Sequence, residues 1–283
     1  MGVQLLGIRF WQDTKSVESG DVWMSSQMLA VGPDRIAVRR AGHDRADGVQ
    51  VVWGHGWGQS GSALLPLAES MGGFACSSVI DFPGFGNSPP PPDSWGTAEY
   101  ADAMAEWLGS ETSRSRFWVG HSFGGRVGIQ LAARHPGLLS GLVLVASAGI
   151  PRKRSLFDKL RIVLRRSSFK TAKFILGEGP LLERLRNRLG SADYLNAGSL
   201  RRIFTRVVNE DLSEVAAHIG CPVLLVYADQ DTETPPEIGA RLNRIIPGSQ
   251  LILLHGFDHH TILTAGRHQL VRHILEFMKG NER

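Results

Sequence analysis

The chain has 283 residues, a net charge of +4, 42% hydrophobic residues and two cysteines. That is enough chain for one large core or a core carrying an inserted layer, and its apolar stretches, such as Leu142 to Ala146 and Cys221 to Tyr227, fall far short of the roughly 20 residues that span a bilayer. Cys76 and Cys221 stand far apart beside apolar runs, which argues against a disulfide framework and a zinc site, and no secretory leader is read at the N-terminus, so the expected location is the cytoplasm.

In chain order, two extended stretches between Val22 and Arg40 surround Gly32-Pro33-Asp34 and predict a hairpin. Short apolar runs then follow at Val51 to Trp53, Ser78 to Ile80, Phe117 to Val119, Leu142 to Ala146, Pro222 to Tyr227 and Leu251 to Leu254. They alternate with helical-period segments at 97–109, 123–134, 235–246 and 265–279. That alternation predicts βαβ units and a mostly parallel sheet covered on both faces, an α/β architecture.

Residues 151–216 break the rhythm. No strand is read there, and Leu156, Leu160, Val163 and Leu164 recur at helical spacing, so the segment is expected to be a helical insertion between a core of residues 1–150 and 217–283. It carries 15 Lys and Arg against 7 acids, a net of +8, which leaves the remainder at −4. If 155–175 is helical, Lys159, Arg166, Lys170 and Lys173 share a face opposite those apolar residues. Such a stripe is either a solvated face or a surface for an anionic partner: an acyl-carrier protein, an anionic substrate or a lipid head group. No nucleic-acid-binding motif accompanies the charge, so nucleic acid is not expected.

The chemistry is concentrated at loop positions. Gly120-His121-Ser122-Phe123-Gly124 lies between an apolar run and a helical segment. In that strand-turn-helix context a serine is thrust out at a helix N-terminus, and glycines are needed because side chains at 120 and 124 would collide with the neighbouring strand and helix. The Phe123 amide can donate there to a developing oxyanion, which the helix dipole also favours. A serine nucleophile needs a base, and the base needs a carboxylate to hold its tautomer. After the run ending at Tyr227 come Asp229 and Asp231, of which Asp231, deeper in the loop, is preferred as the acid. After Leu254 come His255, His259 and His260; His259 is the expected base, His260 the alternative, and His255 is read as closing the strand. The loop Gly54-His55-Gly56-Trp57-Gly58 lets backbone approach substrate, with Trp57 N–H as the second oxyanion donor. The Trp57 indole reads equally as a pocket wall or as packing beneath the loop, and His55 as hydrogen-bonded within it.

With these residues, together with Asp81-Phe82-Pro83-Gly84-Phe85-Gly86-Asn87-Ser88, the chain resembles the α/β-hydrolase superfamily over residues 22 to 280, in its esterase, carbon-carbon hydrolase and proline-iminopeptidase-like branch. The resemblance implies an eight-stranded sheet with its second strand antiparallel, helices on both faces, a helical cap inserted after strand six, and no cofactor or metal. It makes Asp81 to Ser88 a structural turn. Trp57 departs from the His-Gly-Gly-Gly loop of lipases, and Ser122, not Asp, excludes haloalkane dehalogenases and epoxide hydrolases. The expected reaction is hydrolysis of a small-molecule carboxylic ester through an acyl-enzyme at Ser122. Carbon-carbon or amide cleavage by the same triad, and a non-catalytic small-molecule receptor on the same fold, stand as alternatives.

Overall fold

The computed structural model describes residues 24–31, 34–42, 48–92, 94–110, 115–152 and 192–281. The chain divides into two compact units: Met1–Ile150 with Glu210–Arg283, and Pro151–Asn209.

The first unit is built on one eight-stranded sheet. Strands β1 (Met24–Val31) and β2 (Asp34–Ala41) form an antiparallel hairpin with Val31 opposite Asp34. The turn residues Gly32 and Pro33 lie outside the described residues. Strands β3 (Gln50–Gly54), β4 (Cys76–Asp81), β5 (Arg116–His121), β6 (Gly141–Val145), β7 (Val223–Ala228) and β8 (Gln250–Leu254) follow, in the sheet order β1-β2-β4-β3-β5-β6-β7-β8. β2 pairs antiparallel with β4, and every pairing from β4 through β8 is parallel. Strands β3 to β7 are buried along their whole length, and this is why they read as unbroken apolar runs rather than alternating ones.

Helices α1 (Leu65–Ser70), α2 (Thr97–Gly109) and α3 (Phe123–Arg134) connect the first half. The short α1, opened by Pro66 after a 3-10 turn at Gly61–Ala63, is absent from the periodicity reading. In the second unit come α4 (Ala192–Asn196), a 3-10 turn at Gly198–Leu200 and α5 (Arg201–Asn209). There the Arg201 guanidinium lies 5.0 Å over the Tyr194 ring. Back in the first unit are α6 (Ser213–Ala216), α7 (Pro236–Ile245) and α8 (Arg267–Lys279). The stretch 210–216, read with the insertion from sequence, therefore belongs to the first unit. The basic stripe of Lys159, Arg166, Lys170 and Lys173 lies outside the described residues.

One core cluster lies between the sheet and α1 and α8, from Val51, Trp53 and Phe117 through Val226 to Ile274 and Phe277. On the other face α3 comes so close to the sheet that a Cβ at Gly128 would meet the Trp118 ring at 2.7 Å. The same face holds a buried polar relay: Arg126 Nη1 donates to the Glu210 carbonyl, Gln130 to the Thr97 hydroxyl, and Thr97 N–H to the Glu210 carboxylate at 3.0 Å. Glu210 supplies the anion that the N-terminus of α2 favours. Strand β8 differs from the other parallel strands. At the sheet edge, Leu251 and Leu253 remain 37% and 38% exposed.

Candidate active site

Parallel strands bring the loops after β3, β5, β7 and β8 to one edge of the sheet. At the end of β5 the chain turns through Ser122, whose φ of 49° is one of two positive values among the described non-glycine residues. Such a backbone costs of order 1–3 kcal/mol and persists only where the surroundings impose it. Here Ser122 N–H donates to the Val145 carbonyl at 3.0 Å, and its own carbonyl takes Gly125 N–H at 3.1 Å as α3 begins. Sterics dictate the glycines: a Cβ on Gly120 would run into the Gly124 carbonyl, and one on Gly124 into the Gly54 carbonyl. Gly124 N–H donates to the His55 carbonyl at 3.0 Å, which ties the elbow to the loop after β3. Phe123 N–H, the first orphan donor of α3, finds no acceptor among the described residues.

The loops after β7 and β8 supply an acid and a histidine. Asp231 Oδ2 and His259 Nδ1 are 2.7 Å apart and almost fully buried. Asp231 Oδ1 accepts the amides of Glu233 and Thr234 at 2.7 and 2.8 Å. Thr234 Oγ1 lies 2.8 Å from Asp231 Oδ2, 2.9 Å from the Ala146 carbonyl and 3.1 Å from His259 Nδ1. Burial alone would raise the Asp231 pKa; the hydrogen bond and charge of His259, with the Thr234 donors, outweigh it and hold the carboxyl below its ordinary value. With an ionised acceptor at Nδ1, the imidazole carries its proton there and leaves the Nε2 lone pair available. Among the described residues no hydrogen bond joins Ser122 Oγ to that nitrogen, and the nearest charged partner of Nε2 is Glu233 Oε2 at 3.6 Å. Catalytic hydrogen bonds in sites without substrate are commonly long and tighten on binding.

The remaining sequence candidates fall elsewhere. Asp229 binds His255 Nδ1 at 3.1 Å and Gly256 N–H at 2.8 Å, which closes the β7 and β8 loops on each other. His260 is exposed, with Nε2 3.4 Å from Glu233. His55 is fully buried: Nδ1–H donates to the Gly56 carbonyl at 2.7 Å and Nε2 accepts Phe82 N–H at 3.1 Å. Burial pushes its pKa down to about 4, with the Gly56 bond and Asp81 charge opposing. Half-buried Trp57 packs edge-on to Phe85 and Phe123, with centroids 4.9 and 5.4 Å away. Asp81 spends its carboxylate on Arg39, Gly61 N–H and Asn87 N–H, a loop-tying set that includes none of the triad candidates. Two residues missed from sequence belong in this neighbourhood. Thr234 was signalled by the Asp-x-x-Thr spacing of an Asx-type turn, and His121 by nothing beyond its place next to the serine.

A parallel-rich sheet with a strained serine elbow and a buried Asp–His pair at one edge defines a hydrolase of the α/β class. The profile of the Alpha/beta hydrolase family matches residues 51–272, and the chain belongs to that family. Among curated relatives, Lipase 3 of Moraxella sp. (strain TA144) is 26% identical over 87% of this chain and 81% of its own. A pimeloyl-[acyl-carrier protein] methyl ester esterase of Vibrio cholerae is 27% identical over 77% and 89%. Among solved structures, a membrane phospholipase A described as a bacterial virulence factor superposes with a TM-score of 0.71 at 22% identity, over 91% of this chain and 86% of that one. An enol-lactonase from Burkholderia xenovorans LB400 superposes with a TM-score of 0.68 at 18% identity, over 89% and 99%. No described helix is long and apolar enough to cross a membrane, and the described residues hold no cluster of metal-ligating side chains.

Proposed function

We propose that this hydrolase cleaves carboxylic esters through an acyl-enzyme on Ser122. The observation that carries the reading is the buried 2.7 Å contact between His259 Nδ1 and Asp231 Oδ2, which supplies an oriented base in the loop facing the elbow. Ser122 Oγ attacks the ester carbonyl while His259 Nε2 takes its proton. The amides of Trp57 and Phe123 stabilise the oxyanion, and the imidazolium returns the proton to the departing alcohol. Water then enters by the same route: His259 removes its proton, the acyl group leaves as a carboxylic acid, and Ser122 is restored.

Relatives named for a methyl ester and as lipases support an ester as the scissile group. In this reading the unit Pro151–Asn209 serves as the inserted helical cap, and its basic charge suits an anionic partner such as an acyl-carrier protein. The reading includes a cytoplasmic location, in which the thiols of Cys76 and Cys221 stay reduced. The test is labelling with a serine-reactive phosphonate, alongside hydrolysis of aryl esters of graded acyl length, an acyl-carrier-linked methyl ester and a ring-fission diketone. Wild type is expected to label and to cleave esters, while S122A does neither. Labelling of S122A would move the nucleophile away from Ser122, and an inert wild type would overturn the reading in favour of a binding protein; turnover of the diketone alone would move the scissile bond to carbon-carbon.

A further inference from the structure

The loop that carries His259 is well fixed internally. Asp258 Oδ1 accepts the amides of His260 and Thr261 at 2.9 and 2.7 Å, and Asp258 N–H donates to the Thr261 hydroxyl at 2.7 Å. It is also bound to the acid loop, through Asp231 and Asp229 and by Gln230 N–H to the Phe257 carbonyl at 3.0 Å. None of these bonds is made to the elbow itself. Between residues 255–266 and elbow residues 120–125, the one direct hydrogen bond among the described residues runs from His121 Nε2 to the His259 main-chain carbonyl, at 3.0 Å.

We infer that His121 is a positioning residue, whose side chain holds the main chain of His259 and so sets the reach of the base towards Ser122; this rests on the triad reading above. A carbonyl only accepts, so Nε2 carries the hydrogen and Nδ1 a lone pair. The ring is 1% exposed and lies 4.8 Å from the His259 ring, centroid to centroid. Burial foremost, then the His259 charge, pushes its pKa down to about 3, so it remains a neutral donor and does not compete for the serine proton. Its Nδ1 is buried without a partner. On that side the neighbour is Gly56, where a Cβ would come within 2.9 Å of Nδ1. The imidazole is thus wedged between the Gly56 loop and the main chain of His259, one residue from the nucleophile. A ring so enclosed can shift little, and a shift of roughly 1 Å in a catalytic group can cost about 100-fold in rate.

The experiment compares H121F, which keeps an aromatic ring, larger than imidazole, but cannot donate, with H121Q, whose amide nitrogen reaches about as far as Nε2. H121F is expected to lower kcat on an aryl ester, and the phosphonate inactivation rate, by about 10- to 100-fold with KM within about twofold of wild type. H121Q is expected to recover kcat to within about threefold of wild type, as a hydrogen-bonding role requires and a packing role does not. Equal kcat for H121F and wild type, or equal impairment in H121F and H121Q, overturns the assignment. H121N is measured beside them, since it removes the reach of the donor without the extra bulk of Phe. Asn is too short to reach the carbonyl, so kcat in H121N well below H121Q supports the assignment and equality defeats it. S122A run in parallel separates the two readings: an inert S122A with an indifferent H121F sinks the role of His121 alone, whereas phosphonate labelling of S122A sinks the triad itself.

Discussion

His55 makes a sharp stability prediction because both of its nitrogens are committed in the neutral form. Nδ1–H donates to the Gly56 carbonyl at 2.7 Å, and Nε2 accepts Phe82 N–H at 3.1 Å. A second proton on Nε2 would face that N–H donor inside a site with no solvent access. The ring's pKa is accordingly lowered from 6.5 to about 4, burial being the main cause. Between these values the unfolded chain binds a proton that the folded chain refuses, so stability is intact above pH 6.5 and falls as pH drops towards 4. The slope is about 1.4 kcal/mol per pH unit for this one group, or about 2 kcal/mol by pH 5. The perturbation is H55Q, whose amide oxygen can still accept Phe82 N–H but cannot titrate in this range. Urea unfolding at pH 7 and pH 5, followed by tryptophan fluorescence from the fully buried Trp53 and Trp118, gives the two free energies. H55Q is expected to be weaker than wild type by about 1 kcal/mol at pH 7 for the lost Gly56 bond. Its fall between the two pH values should be shallower than that of wild type by about 2 kcal/mol. His121 is present in both proteins and cancels. Equal falls would refute the reasoning, since they would mean that His55 is protonated as readily inside the fold as outside.

T234V removes the hydroxyl that lies against Asp231, the Ala146 carbonyl and His259 while keeping shape. It should lower kcat by about tenfold, the equivalent of one hydrogen bond. The Asp231 carboxyl, held low in part by that hydroxyl, should rise, so that acid inactivation in a pH–rate profile begins at higher pH; an unchanged profile counts against it. G124A forces a Cβ into the Gly54 carbonyl, where both partners are backbone. The cost should be about 1–3 kcal/mol of stability, read as a lowered thermal midpoint, with loss of ester hydrolysis. A midpoint equal to wild type would show that the elbow tolerates a side chain there.

The central strands and most of the helices of the core were legible in the sequence because a strand buried on both faces must be apolar throughout, and a helix covering it must repeat near 3.6 residues. The serine elbow was legible for a local reason as well: a serine at φ 49° needs glycines wherever backbone passes within contact distance. Other features left no such mark. Apolar Leu251 and Leu253 read like any inner strand, yet β8 ends the sheet and leaves them partly exposed. Helix α1 is too short and too interrupted by Pro66 to show a period. Which carboxylate meets which histidine follows from the pairing of Ala228 with Leu254, which sets Asp229 against His255 and Asp231 against His259. The bond from His121 to the His259 carbonyl joins residues 138 apart in sequence. Local pattern determined the elements and the kinds of residue at their ends; only the order and register of the strands decided which of those residues touch, because such contacts depend on distances that no stretch of sequence contains.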